Sequence, residues 1–222
     1  MDNPALDAQQ HSHALEGLER INRWSSSLRI VWPSIRDLAR KCRPKSLRVL
    51  DIATGAGDLP IALWRRARRS HLPMQVDGCD QSPRAVEHAQ ARAKQAQAAV
   101  NFFKLDIFTD EIPPDYDVIL TSLFLHHIEN AQAVSLLRRM AASARHLVLI
   151  NDLARSASGL ALAFVGTRLL STSKVVHVDG PRSVRAAYTV NEAHQLAKEA
   201  GLSNAVITPR WPCRFLLTWK QP

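Results

Sequence analysis

The sequence predicts an α/β chain built on a parallel sheet, and three observations carry that expectation. Apolar, strand-like runs alternate with helical patterns from Leu47 to Asn151. A turn of small residues, Ala53-Thr54-Gly55-Ala56-Gly57, joins the first of those strands to a helix. Acids stand at or near the carboxyl ends of three successive strands, as Asp51, Asp80 and Asp106.

Residues 1 to about 45 read as helices, from the spacing of Leu15, Leu18 and Ile21 and then of Ile35 and Leu38, with Pro33 suited to the first turn of the second helix. Strands are expected at 47–53, 74–79, 101–105, 116–122 and 146–151, with helices at 58–69, 83–98 and 131–143. Ser82 and Pro83 suit an N-cap and the first helical position, and Thr189 with Glu192 forms a capping box for a helix that Gly201 ends. Segments around Val206–Ile207 and Arg214–Trp219 read as a closing strand pair. Between Arg155 and Tyr188 lies an insertion, an apolar helix from Leu160 to Leu170 followed by a loop that carries His177, Arg182 and Arg185. The chain reads as one domain over 1–222, with a helical cap at 1–45, a core at 46–154, a cap insertion at 155–188 and a C-terminal helix and strand pair at 189–222.

The formal net charge of +9 is compatible with nucleic acid, an anionic membrane or an acidic ligand. Its densest cluster, Arg65-Arg66-Ala67-Arg68-Arg69, falls at the end of a helix, where cations complement the dipole. Aromatic interleaving is missing there, which disfavours nucleic acid and leaves peripheral contact with an anionic membrane open. Cys42, Cys79 and Cys213 are scattered without CxxC spacing, so thiols in a reducing cytoplasm are expected rather than disulfides or zinc. No HEXXH or other ligand spacing suggests a metal. The polar N-terminus predicts no secretory signal, and the longest apolar stretch, Gly159–Gly166, falls well short of the roughly 20 residues that span a bilayer.

A glycine-rich turn can cradle pyrophosphate, but a fixed carboxylate beside it would repel that ligand, so Asp51 points to a cationic one. The dinucleotide fingerprint would also need a glycine where Pro60 stands, and the Gly-Lys-Ser/Thr of a P-loop is absent. The stretch Val49-Leu50-Asp51-Ile52-Ala53-Thr54-Gly55-Ala56-Gly57-Asp58 resembles the first motif of the class I S-adenosylmethionine-dependent methyltransferases, departing from its commonest form at Ala53, where a first glycine often stands. The resemblance implies a Rossmann-like sheet, mostly parallel with an antiparallel C-terminal strand. It implies S-adenosyl-L-methionine as cofactor, held by Asp51, Ala53, Gly55, Gly57, Asp80, Gln81, Asp106, Ile107 and Ser122. Asp80 would accept from the ribose hydroxyls, Asp106 would meet the adenine amino group and Ile107 would pack on the ring. Asp77, the rival acid, falls inside its strand.

After the fourth strand comes Leu123-Phe124-Leu125-His126-His127-Ile128, where open α/β sheets place their ligands. The stretch is similar to small-molecule methyltransferases and lacks the Asn/Asp-Pro-Pro-Tyr/Phe of many amine-directed ones. A phenolic acceptor titrates near about 10 and profits from a base, for which His126, His127 and His177 are candidates. Either of the first two could equally cap or pack the turn. Arg182 and Arg185 are candidates for holding an anionic or phenolic acceptor. The expected activity is methyl transfer to a hydroxyl of a small aromatic, polyketide-like or lipidic acceptor, by a monomer or homodimer. C-methylation of a quinone precursor is the nearest alternative, followed by RNA methylation and a non-catalytic role in cofactor binding.

Overall fold

The structure is a computed structural model that describes residues 27–42, 46–170 and 174–221. The helix expected from Leu15, Leu18 and Ile21 lies outside the described residues. Helix α1 (Ser27–Cys42) buries Ile30, Val31, Trp32, Ile35 and Ala39, one face of a helix. It already runs at Ser27, so Pro33 sits inside it and not in its first turn. Pro33 lies on the exposed side of the helix, away from the core.

Among the described residues seven strands form one sheet: β1 (Leu47–Ile52), β2 (Met74–Asp80), β3 (Val100–Lys104), β4 (Tyr116–Ser122), β5 (Ala144–Leu153), β6 (Val206–Arg210) and β7 (Arg214–Lys220). Their order is β3-β2-β1-β4-β5-β7-β6. The first five run parallel, and β7 runs antiparallel to both β5 and β6. From β1 the chain winds outward through β2 and β3, then returns to place β4 on the other side of β1. That reversal opens a crevice beyond the carboxyl ends of β1 and β4.

Helices α2 (Asp58–Arg69), α3 (Pro83–Gln95) and α4 (Asn130–Ser143) follow β1, β2 and β4. Because helices cover both faces, β1 and β4 are buried almost throughout, without the apolar/polar alternation of a strand with one wet face. One face packs Ile35, Leu63, Val118 and Leu149 together, and the other packs Ile52, Ile119, Leu136, Ile150 and Phe215. Ser82 caps α3 by accepting from Ala85 N, with Pro83 at the first position. That helix ends earlier than periodicity suggests, since Gln97 turns left-handed at φ 51°. Strand β5 outruns expectation because it pairs with β7 from Leu147 to Leu153. The rival acid Asp77 lies within β2, where Tyr116 Oη donates to its Oδ2 at 2.8 Å. Arg66 and Arg68 of the basic cluster lie over the rings of Trp32 and Trp64.

The insertion is two helices, α5 (Ala157–Leu170) and α6 (Lys174–Ala186), packed on each other. The loop expected around Arg182 and Arg185 is therefore a helix that runs through Gly180-Pro181. A glycine followed by proline reads as a break, but Gly180 serves close packing here: a Cβ on it would stand 2.4 Å from Thr167 Cγ2. Helix α7 (Val190–Glu199) starts on the expected capping box of Thr189 and Glu192, and Gly201 follows it at φ 84°.

Gly78 shows how tightly β2 meets its neighbours, because a Cβ there would lie 2.7 Å from Phe102 Cε1 and 3.1 Å from Thr54 Oγ1. Gly78→Ala should cost about 1–3 kcal/mol by overpacking. Adding Phe102→Leu, which shortens the obstructing ring, should return part of it in urea denaturation. Equal midpoints for wild type and Gly78→Ala would show that the ring moves freely.

Candidate active site

The turn after β1 is built by backbone constraint. Ala53, Gly55 and Gly57 adopt φ of 54°, 54° and 73°. For Ala53 the left-handed conformation costs about 1–2 kcal/mol, which accounts for the glycine common at this position in the resembled motif. The two glycines serve different ends. A Cβ on Gly57 would meet Phe102 Cζ at 2.7 Å and Ala89 Cβ at 2.9 Å, whereas one on Gly55 would meet nothing within 4 Å. Gly57 thus lets α3 and β3 close on the turn, and Gly55 leaves the turn's outer side open.

Asp51 stands beneath that opening, 2% exposed. Thr54 Oγ1 donates to its Oδ2 at 2.8 Å, while Oδ1 is buried without a hydrogen-bond partner. Burial pushes its carboxyl up to about 7, partly offset by the Thr54 hydrogen bond and reinforced by the charges of Asp80 and Asp58. Asp80 ends β2 and braces the turn, its Oδ2 accepting from Gly55 N and its Oδ1 from Ser82 N, both at 2.9 Å. An ionised carboxylate has about four acceptor positions, so two remain for hydroxyls of a ligand. Gln81 is exposed beside it. Asp106 follows β3, next to Leu105, whose N–H donates to Asp80 O. Its Oδ1 accepts from Phe108 N at 2.9 Å, and Ile107 is buried in the core. An orphaned buried carboxylate, an open turn and a second carboxylate with spare acceptor capacity fit a ligand carrying an ammonium group and ribose hydroxyls. S-adenosylmethionine has both.

Beyond β4, Leu123 turns left-handed at φ 59° and leads into a single 3-10 turn, Leu125–His127. His126 is buried, with Nδ1 2.6 Å from Asp152 Oδ1 on the neighbouring strand β5. Donation from Nδ1 to an ionised Asp152 leaves Nε2 as the basic nitrogen. His127 is exposed, its ring centroid 4.1 Å from that of His126. Helix α6 packs against this turn, carrying a half-buried His177. Arg182 and Arg185 lie with Val178 on the exposed side of α6, whose buried residues are Val176 and Val184. Ser122 belongs to a polar cluster at the same end of the sheet: Ser122 Oγ, Asn151 Nδ2 and Arg214 Nη1 all donate to Ser27 Oγ, at 2.9, 3.2 and 3.0 Å. Arg214 is buried, which pulls its guanidinium down to about 10 against the stabilising charge of Asp152.

Asp152 and Arg214 are absent from the residues singled out in the sequence. For Asp152 the signal existed, since an acid at the carboxyl end of a strand is the rule that selects Asp80. For Arg214 there was none, because only the antiparallel return of β7 brings it to this end.

The raised carboxyl of Asp51 has a thermodynamic consequence. Folding binds its proton more tightly, so its contribution to stability is complete below about pH 4 and is lost as pH rises through about 7. Asp51→Asn should therefore melt higher than wild type at pH 8, with the gap narrowing toward pH 5, both read by calorimetry without ligand. A constant gap across that range would mean that Asp51 does not titrate there.

Residues 49–146 match a family described as a methyltransferase domain. Release factor glutamine methyltransferase of Haemophilus influenzae is 30% identical over 83 residues, 36% of this chain and 28% of that protein. The magnesium protoporphyrin IX methyltransferase of Synechocystis, solved with bound S-adenosylhomocysteine, superposes with a TM-score of 0.60 at 16% identity, over 99% of this chain and 90% of that one. An O-methyltransferase family 2 protein of Planctomyces limnophilus, solved with apigenin, gives 0.59 at 19% identity, over 79% of this chain and 51% of that one. The chain thus spans about a quarter of the curated relative and half of the apigenin-bound structure. Residues 49–146 are thus similar to a methyltransferase domain, and they lie on a Rossmann-like sheet of the kind those solved methyltransferases share.

Proposed function

We propose that the chain is an S-adenosyl-L-methionine-dependent methyltransferase acting on a hydroxyl of a small aromatic, polyketide-like or lipidic acceptor. The observation that carries this reading is the buried His126–Asp152 pair at the carboxyl edge of β4 and β5, one strand from the acid-lined turn. In this reading Asp51 faces the cofactor's ammonium group and Asp80 its ribose hydroxyls. Asp106 and Ile107 border the adenine, and Ala53, Gly55 and Gly57 shape the open turn, with Gln81 and Ser122 at its margins. When bound, the cofactor supplies a methyl group already activated on a sulfonium. What remains for the protein is to orient the acceptor, exclude water and remove a proton.

His126 Nε2 takes the proton from the acceptor hydroxyl as that oxygen becomes the nucleophile. Asp152 fixes the tautomer and stabilises the imidazolium that forms, the division of labour seen wherever a carboxylate orients a histidine base. His127 and His177 border the same space as alternative bases. Arg182 and Arg185, exposed on α6, would meet an acidic acceptor only at the rim of the cap. An amine- or amide-directed activity is disfavoured, because Leu123–His127 holds no Asn/Asp-Pro-Pro-Tyr/Phe.

The test combines binding and turnover. Calorimetry should show S-adenosylmethionine and S-adenosylhomocysteine binding, weakened about tenfold or more in Asp80→Ala through loss of charged hydrogen bonds. Mass spectrometry over a panel of phenols, quinols and hydroxylated lipids should find products heavier by about 14 daltons, one added CH₂. On the acceptor so found, His126→Ala should lower kcat by about 10²–10⁴ with cofactor affinity retained. His127→Ala and His177→Ala should do less. Full activity in His126→Ala would end the assignment of the base, and absence of cofactor binding would end the proposal.

A further inference from the structure

Helix α5 has a packed side and an apolar side that faces outward. Its inner side meets α6 where Thr167 and Ala163 approach Gly180, and Gly159 and Thr167 are buried. Leu162, Val165 and Leu169, at three- and four-residue spacing along the opposite side, are 38%, 52% and 80% exposed, and Phe164 beside them is 52% exposed. These side chains are therefore a second apolar face and not the rim of a core. The face continues onto its neighbours. Val178 of α6 is 64% exposed, and Trp211, on the turn between β6 and β7, is 70% exposed. The start of α5 packs on that turn, where a Cβ on Gly159 would stand 3.1 Å from Cys213 Cβ.

The exposed charge around this face is mainly positive: Arg168 on α5, Arg210 beside Trp211, and Arg182 and Arg185 on the side of α6 that carries Val178, with the half-buried Asp179 as the acid next to them. The Arg168 guanidinium lies over the Phe164 ring, 3.5 Å from its centroid, which sets a cation at the level of the apolar side chains. We propose that the outer face of α5, with Val178 and Trp211, docks on an anionic lipid bilayer. The helix lies in the headgroup layer, its aliphatic side chains directed at the acyl chains and its cations at the phosphates.

Charge decides among the possible occupants. A second copy joined through the same face would set Arg168, Arg182 and Arg210 against their own copies, with Asp179 alone to offset them. A nucleic acid would satisfy the cations but strand the leucines and valines in contact with phosphate. A bilayer with anionic headgroups satisfies both. Among the described residues no helix is long and apolar enough to cross a membrane, so the contact is peripheral. Because α6 also packs against the turn that bears His126, docking would turn the cap and the histidine pair toward the membrane, a route for a lipidic acceptor. The docking itself stands apart from the chemistry proposed above.

The experiment is co-sedimentation of the full chain with phosphatidylcholine vesicles, with and without about one-third phosphatidylglycerol. Binding should require the anionic lipid and fall several-fold on adding about 0.5 M salt, as screening shortens the reach of the arginines. The triple variant Leu162→Ser, Val165→Ser, Leu169→Ser should lose about tenfold or more of the partitioning, since it removes the apolar part. It should keep its melting temperature and its affinity for S-adenosylhomocysteine. Arg168→Gln should lower binding to anionic vesicles alone. Undiminished binding by the triple variant, or equal binding to neutral vesicles, would overturn the proposal. So would a dimer in light scattering that the triple variant disperses, which would make the face a self-interface. New protease cleavage within residues 1–26 of the triple variant would overturn it as well, by assigning the face to the chain's own N-terminal segment.

Discussion

A carboxylate buried without a cation is the constraint on which the rest of this site depends. Asp51 sits inside the sheet with one oxygen satisfied by Thr54 and the other unpaired, near two further acids. Such a group costs stability, and packing elsewhere must offset it. The surrounding turn is held accordingly. Ala53 is kept left-handed, Gly57 is pressed by Phe102 and Ala89, and Asp80 ties down the Gly55 amide. Strain, close packing and an unpaired charge at one strand end are the marks of a structure organised around something it does not itself contain.

The end of β5 holds the contrasting case. Asp152 is buried as deeply, and its Oδ2 likewise lacks a hydrogen-bond partner, yet its charge is answered from within by His126 and by the nearby Arg214. One carboxylate thus keeps an oxygen without a partner and has acids as its charged neighbours, and the other has a histidine and an arginine beside it. This difference separates a group suited to binding from one suited to positioning a base. The pair sits on neighbouring halves of the crevice because the strand order reverses between β1 and β4.

The parallel sheet, the glycine-rich turn, the Ser82 cap, the Thr189–Glu192 capping box and the three strand-end acids were legible because each rests on local chemistry: periodicity, an N-cap or a carboxylate next to small residues. What stayed hidden depends on partners distant in sequence. Arg214 reaches Ser27 across 187 positions, and nothing local in Cys213-Arg214-Phe215 announces it. The helix through Gly180-Pro181 was obscured by a local rule that tertiary packing overrides, since Gly180 is needed where Thr167 approaches. Pro33 misled for a related reason. Its place in a helix could not be known without the start of that helix, and α1 already runs at Ser27.

Charge is segregated along the sheet in a way that composition alone conceals. A net charge of +9 suggests a uniformly basic protein. The strand order instead gathers Asp51, Asp80 and Asp106 on the β3-β2-β1 side and leaves β6, β7 and the start of the insertion without acids. The strand ends that carry Asp51, Asp80 and Asp106 thus differ in local charge from the acid-free segments, while Arg65, Arg66, Arg68 and Arg69 sit at the far end of α2 on the same side of the sheet. Had the acids been spread evenly, a basic exterior would have repelled the cationic ligand that Asp51 calls for. Grouping these three at neighbouring strand ends favours a cation there, while exposed arginines such as Arg168 and Arg210 favour anions elsewhere. The excess of positive charge and the unpaired buried carboxylate are thus compatible features, kept apart by the topology of one sheet.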